Sequence, residues 1–308
     1  DKAAAERAGM LSRCDLMTEM VGEFASMQGI MGRYQAQRDG EAEQISLAMD
    51  EFYMPRHSGD ELPQTPVGIA VSLAEKLDPL VGIFGIGMKP TGDKDPFALR
   101  RAALGALRIL REHSLALDIP KLLEITSGPL EARLENKETA KEVYAFMLER
   151  LKGLLAEENI GSQLFDSVAA VRPVSISDFD QRIHAVQQFQ ALPEAEALAA
   201  ANKRIRNILK KVETPVSDTV NPDLLTDAAE KSLYSQLSEM QHQVRPLLDS
   251  GDYASILKAL AALRDNVDRF FDDVMVMVDD EAVRNNRLAL LNQLNLLFLK
   301  VADISRLH

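Results

Sequence analysis

The densest chemistry in this 308-residue sequence is cationic. Residues 202–211, NKRIRNILKK, hold five basic side chains and no acidic one. Between Lys89 and Arg111 six basic residues face two acidic ones. The whole chain carries a net charge of −12, which argues against nucleic acid, because neutralising phosphates takes Lys and Arg. A local concentration of like charge, however, costs self-repulsion unless a polyanion or nearby carboxylates neutralise it. On a helix, Lys203, Arg204, Arg206, Lys210 and Lys211 can track a phosphate backbone. Asn202 and Asn207 can hydrogen-bond splayed bases, and Arg284 is a further candidate for base reading. Stacking candidates are the arginines, Tyr234 and Tyr253. The competing reading is a solvated helix face with Ile205, Ile208 and Leu209 packed inward.

Catalytic signatures do not occur. There is no GxSxG, HExxH or CxxC, and Gly85, Gly87 and Gly92 give neither a P-loop nor GxGxxG. Cys14 is the only cysteine, so no internal disulfide forms and a reducing compartment is expected. No apolar run approaches the ~20 residues needed to span a membrane. The first residues, DKAAAERAGM, are polar and lack both an apolar signal core and an initiator Met, so the chain is expected to begin inside a larger protein.

The elements that position these groups read as helices. Apolar residues recur at three- and four-residue steps from Val283 to Ile304 and from Tyr253 to Phe270, each predicting one helix. Further helices are expected at 139–157, at 225–248 with Pro246 disturbing the last turn, and from Pro193 to Lys211. Residues 274–278 are an apolar run bounded by aspartates, open to helix or strand. Loops are expected at 57–66 and 85–96. A boundary near 172–178 carries Ser177 three residues before Asp180, spaced like a capping box. Asp95 is expected to cap a helix that Pro96 opens, projecting Arg100, Arg101, Arg108 and Arg111. Those arginines are either a phosphate- or subunit-contacting surface or a solvated face with internal salt bridges, and arginine geometry suits both.

Three segments resemble the β subunit of bacterial two-subunit glycyl-tRNA synthetases: LSRCDLMTEMVGEF at 11–24 followed by QGIMG, AEKLDPLVGIFGIG at 74–87, and PTGDKDPFALRRAALGALRIL at 90–110. The run AAANKRIRNILKK at 199–211 resembles the opening helix of anticodon-binding bundles, arginyl- and cysteinyl-type synthetases included. The stretch from Phe270 to Ser305 looks like the rest of such a bundle, with Phe270 and Phe271 closing its core. The resemblance runs through the whole chain and would make it a bit under half of a full β subunit.

That family contains a domain similar to the HD phosphohydrolases, whose histidines and aspartates hold a metal that activates water. Here the adjacent pair aligns with Cys14-Asp15 and the distant aspartate with Asp78. The pair's histidine is missing, and His57 is the only histidine before residue 100. No metal is expected. Cys14 is then a small buried hydrophobe, and Asp15 a cap or an ion-pair partner of Arg13 or Lys76.

The expected architecture is all-α: an HD-like helical domain over 1–117, a helical connector over 118–176, and an anticodon-binding-type bundle over 177–308. The resemblance implies a cytoplasmic, tRNA-binding part of a glycine–tRNA ligase. Arg100, Arg101, Arg108 and the 202–211 run would contact tRNA(Gly). An α subunit in an α2β2 assembly would be the partner and would supply ATP and Mg; no cofactor is expected in this part. The alternatives are a metal-dependent HD-type phosphohydrolase, or a structural helical adaptor without RNA contact.

Overall fold

The structure, a computed structural model, describes residues 1–92, 94–212 and 215–307. Among these residues it has fifteen α-helices and no strand, only an isolated bridge between Thr91 and Lys94. It divides into two compact units. One comprises residues 1–154 and 174–177; the other comprises 155–173 and 178 onward. Residues expected to form a separate connector are thus shared between the two.

The first unit contains α1 (Lys2–Leu11), α2 (Glu19–Glu23), α3 (Ile30–Arg38), α4 (Glu43–Glu51), α5 (Pro66–Gly85), α6 (Leu99–Glu112), α7 (Ile119–Ser127) and most of α8 (Thr139–Glu157). Helix α5 starts where the sequence allows a start. Thr65 accepts the Gly68 amide at 3.0 Å, and Pro66 occupies a first-turn position where its missing N–H costs nothing. Its apolar stripe, including Leu73, Leu77, Leu80 and Phe84, is buried. Ala8, Ala48, Met49 and Phe52 form a core cluster with its Val71.

The buried Glu51 carboxylate closes the turn before α5 from another helix. It accepts the Gln64 amide at 2.7 Å, the Thr65 amide at 3.0 Å and the Thr65 hydroxyl. A Cβ at Gly68 would meet Glu51 Oε2 at 1.8 Å, so this approach needs glycine. Lys76 is 6% exposed, and its ammonium donates to the Ser72 hydroxyl at 3.1 Å.

The second unit contains α9 (Ser162–Ala169), most of α10 (Ile176–Gln190), α11 (Ala195–Lys210), α12 (Ala228–Ser250), α13 (Tyr253–Ala261), α14 (Arg264–Asp273) and α15 (Glu281–Leu299). Leu233, Leu237, Ile256, Leu260, Phe270, Leu290, Leu294 and Phe298 fill its core.

Several boundaries differ from the pattern reading. Tyr253–Phe270 is two helices, because the chain turns at Ala262–Leu263 and buries Leu263 in the corner. Residues 274–280 are an irregular loop, neither helix nor strand. Pro193 lies in a turn two residues before α11. Ser177 is inside α10 rather than at its cap. Pro96 does not open α6. The helix starts at Leu99 behind Ala98, which sits in the left-handed region at φ +55°, although Asp95 still accepts the Leu99 and Arg100 amides at 2.8 and 2.9 Å.

Candidate nucleic-acid interface

Helix α11 begins with strong helix formers, and Leu198, Ala199 and Ile205 are buried on one side. Successive residues rotate by about 100°, which puts Lys203, Arg204, Asn207, Lys210 and Lys211 within an arc of about 120°. All five are exposed. Arg204 rests its guanidinium over the Phe271 ring, 4.2 Å from the centroid, while Phe270 is fully buried beside it.

Two residues of the same run turn the other way. Asn202 is 2% exposed and donates to the Leu198 carbonyl at 2.9 Å, so it cannot reach a base. Its angular position lies among Leu198, Ile205 and Leu209, a signal already present in the sequence. Arg206 pairs with Asp303 and donates to the Ser305 hydroxyl at 3.0 Å. Burial, then the nearby Arg306 charge, lower its pKa from the ordinary arginine value. Asp303 is itself buried and donates its amide to the Ser167 carbonyl at 2.9 Å. Arg206 thus anchors α11 to the 3-10 turn Ile304–Arg306.

At the start of α15, Asp280 accepts the Ala282 and Val283 amides at 2.9 and 3.1 Å. Arg284 is engaged locally, donating to the Val278 and Asp279 carbonyls at 2.8 and 3.3 Å. Arg287 is buried against Glu230 and Asp227 and also holds the Met275 carbonyl at 2.8 Å. These two arginines pin the 274–280 loop, leaving Met275 and Met277 exposed and Val274 and Val276 buried. Burial alone would raise the Glu230 carboxyl; the Asp227 amide, the Arg287 guanidinium and the Thr226 amide instead hold it below the ordinary range. Tyr253 is no stacking platform, since it is buried and its hydroxyl bridges Asp178 and Arg182.

In the first unit, the α6 arginines do not act alike. Arg101 is exposed. The Arg100 guanidinium closes back onto the Gly92 carbonyl. Arg108 bonds Glu112 at 3.1 Å and the Asp60 carbonyl at 3.1 Å, which makes it a strut between α6 and the 57–65 loop.

The HD-like positions are not gathered into a ligand set. Asp15 is 4% exposed and accepts the Gly29 amide at 2.7 Å and the Tyr53 hydroxyl at 2.8 Å. Gly29, at φ +82°, brings its amide to that carboxylate. Burial and the Asp15 contact raise the Tyr53 pKa well above the ordinary value. Asp15 pairs with neither Arg13 nor Lys76; Arg13 pairs with Glu75 instead. Cys14 is exposed rather than buried, and Asp78 is exposed too. Among the described residues no group of three or more His, Cys, Asp or Glu side chains could hold a metal ion. No described helix is long and apolar enough to cross a membrane.

Residues 1–170 match the family model described as "Glycyl-tRNA synthetase beta subunit", and residues 198–303 match that of the DALR anticodon binding domain. The chain is 55% identical over 306 residues to a protein of Aeromonas salmonicida named glycine–tRNA ligase beta subunit, covering 99% of this chain and 44% of that protein. It is 54% identical to the proteins of that name from Aeromonas hydrophila and Pseudomonas aeruginosa, covering 100% and 98% of this chain and 45% and 44% of theirs. The chain therefore spans less than half the length of these relatives.

Proposed function

Because the chain belongs to the glycyl-tRNA synthetase β-subunit family, we propose that it is the tRNA-binding part of such a subunit, supporting attachment of glycine to tRNA(Gly) by the α subunit. The observation that carries this reading is the exposed cationic arc of α11, in the segment matched by an anticodon-binding family. Lys203, Lys210 and Lys211 take phosphates, Arg204 is presented over Phe271, and Asn207 is the side chain of the run best placed to read a base. Asn202, Arg206 and Arg284 are left to hold the bundle together. The chain's contribution is placement: it holds the tRNA while the chemistry proceeds elsewhere. ATP and Mg act through the α subunit, the partner in an α2β2 assembly, and the enzyme is cytoplasmic.

The test is tRNA(Gly) binding to the assembled enzyme across a salt series. Lys210→Ala and Lys211→Ala should each weaken binding to all tRNAs alike. Each should shallow the slope of log affinity against log salt by roughly 0.7–0.9. Unchanged affinity and slope in both variants, with the assembly intact, would overturn this reading in favour of a helical adaptor without RNA contact.

A further inference from the structure

We propose that Phe97 is a second RNA contact, a stacking platform for one unpaired nucleobase, with Lys94 and Arg101 taking the adjoining phosphates. This rests on the tRNA-binding reading above and extends it to the first unit.

The ring is 47% exposed although the chain around it is tightly determined. The Thr91 and Lys94 backbones bond each other reciprocally, at 3.1 and 2.9 Å. The Arg100 guanidinium ties the α6 helix back to the Gly92 carbonyl. Asp95 accepts both the Leu99 and Arg100 amides, and its own carbonyl receives the Ala98 amide at 3.2 Å. Pro96 fixes the backbone immediately before the ring. Ala98 takes a left-handed conformation, at φ +55°, that L side chains rarely adopt. A segment with this many constraints directs a large apolar ring into water, and strain held in place by its surroundings is a mark of functional segments.

The charge around the ring selects the ligand. Lys94 and Arg101 are exposed. Asp95, the acidic residue between them, spends both carboxylate oxygens on α6 amides, so it is directed at the helix rather than at a ligand. Those amides are thereby closed, so the helix terminus itself offers no anion site. An exposed ring with exposed cations three positions before it and four after it in the chain suits a single-stranded nucleotide, whose base stacks while its phosphates meet the basic side chains. A protein's apolar pocket would take the ring but would need its own carboxylates for the cations, whereas each nucleotide brings both a base and a phosphate.

The experiment uses the full-length β chain assembled with its α subunit. Phe97→Leu, which keeps an apolar side chain but removes the π-face, should weaken tRNA(Gly) binding roughly 5- to 150-fold without changing the salt slope. Phe97→Trp should keep the affinity. These 308 residues contain no tryptophan, so the new indole is the sole one in this part of the chain, and its emission should fall when tRNA binds. Lys94→Ala and Arg101→Ala should each shallow the salt slope by roughly 0.7. The proposal is overturned if Phe97→Leu binds tRNA like the parent. It is equally overturned if Phe97→Leu weakens subunit assembly while the assembled enzyme still binds tRNA normally, which would assign the ring to a protein interface. A parent enzyme that binds no tRNA would overturn the underlying reading, and this one with it.

Discussion

In the first unit the buried carboxylates Asp15 and Glu51 are held by backbone amides and hydroxyls, and the buried Lys76 by a serine. In the second unit the buried carboxylates meet opposite charge as well: Glu230, which also accepts the Thr226 and Asp227 amides, meets the buried Arg287, and Asp303 meets Arg206 and Arg306. The two solutions do different jobs. A carboxylate satisfied by amides fixes where a local turn or helix begins. The guanidiniums that reach Glu230 and Asp303 from distant positions tie together elements far apart in sequence: Arg287 of α15 to the start of α12, and Arg206 of α11 to the turn after α15.

The sharpest way to break this contrast is at Arg287. Replacing it with Met strands Glu230, which is 0% exposed, without its counter-charge. Removing one partner of a buried pair costs about 3–5 kcal/mol, so Arg287→Met should lower the urea midpoint accordingly. Adding Glu230→Gln should recover part of that loss. A loss below about 1 kcal/mol would mean the pair behaves like a surface ion pair.

Lys76 tests the other side. Burial lowers its pKa to about 8 from 10.5, because no carboxylate bonds it directly. The folded state therefore binds fewer protons than the unfolded state between pH 8 and 10.5. The sign follows: Lys76 penalises folding fully below pH 8, and the penalty is relieved as pH rises toward 10.5. A shift of this size corresponds to about 3 kcal/mol. Lys76→Met should stabilise the protein at pH 7 and do so less at pH 10, as read from paired urea titrations. An equal effect at both pH values would contradict a neutralised buried lysine.

Gly68→Ala forces a methyl onto Glu51 Oε2 and should cost about 1–3 kcal/mol in thermal or urea unfolding. Asp15→Asn keeps one acceptor for Gly29 or Tyr53 but loses the charge, and should cost about 1–2 kcal/mol in the same measurement. If Asp15 were a ligand rather than a brace, that substitution would leave stability unchanged.

Periodicity made α8, α11 and α15 legible, because each buries a long apolar face. It missed the break between α13 and α14, where Leu263 stays in register while the chain turns. The inward turn of Asn202 was readable from its angle on the helix, yet its amide suggested a base contact. The roles of Arg206, Arg284 and Arg287 were hidden, because their partners lie elsewhere in the sequence or in backbone carbonyls. Phe97 gave no signal either: its exposure depends on a left-handed alanine that no local pattern announces.

The pinned 274–280 loop has a consequence for self-association. VMVMV is rich in β-branched and apolar residues, the composition that pairs edge to edge with copies of itself when released. Arg284 and Arg287 hold its carbonyls with side chains, so when those grips open no sheet neighbour keeps the backbone occupied. Asp272, Asp273, Asp279 and Asp280 bracket the run and act as gatekeepers, since stacked copies would bring like charges into register. These aspartates thus protect the run from aggregation during partial unfolding.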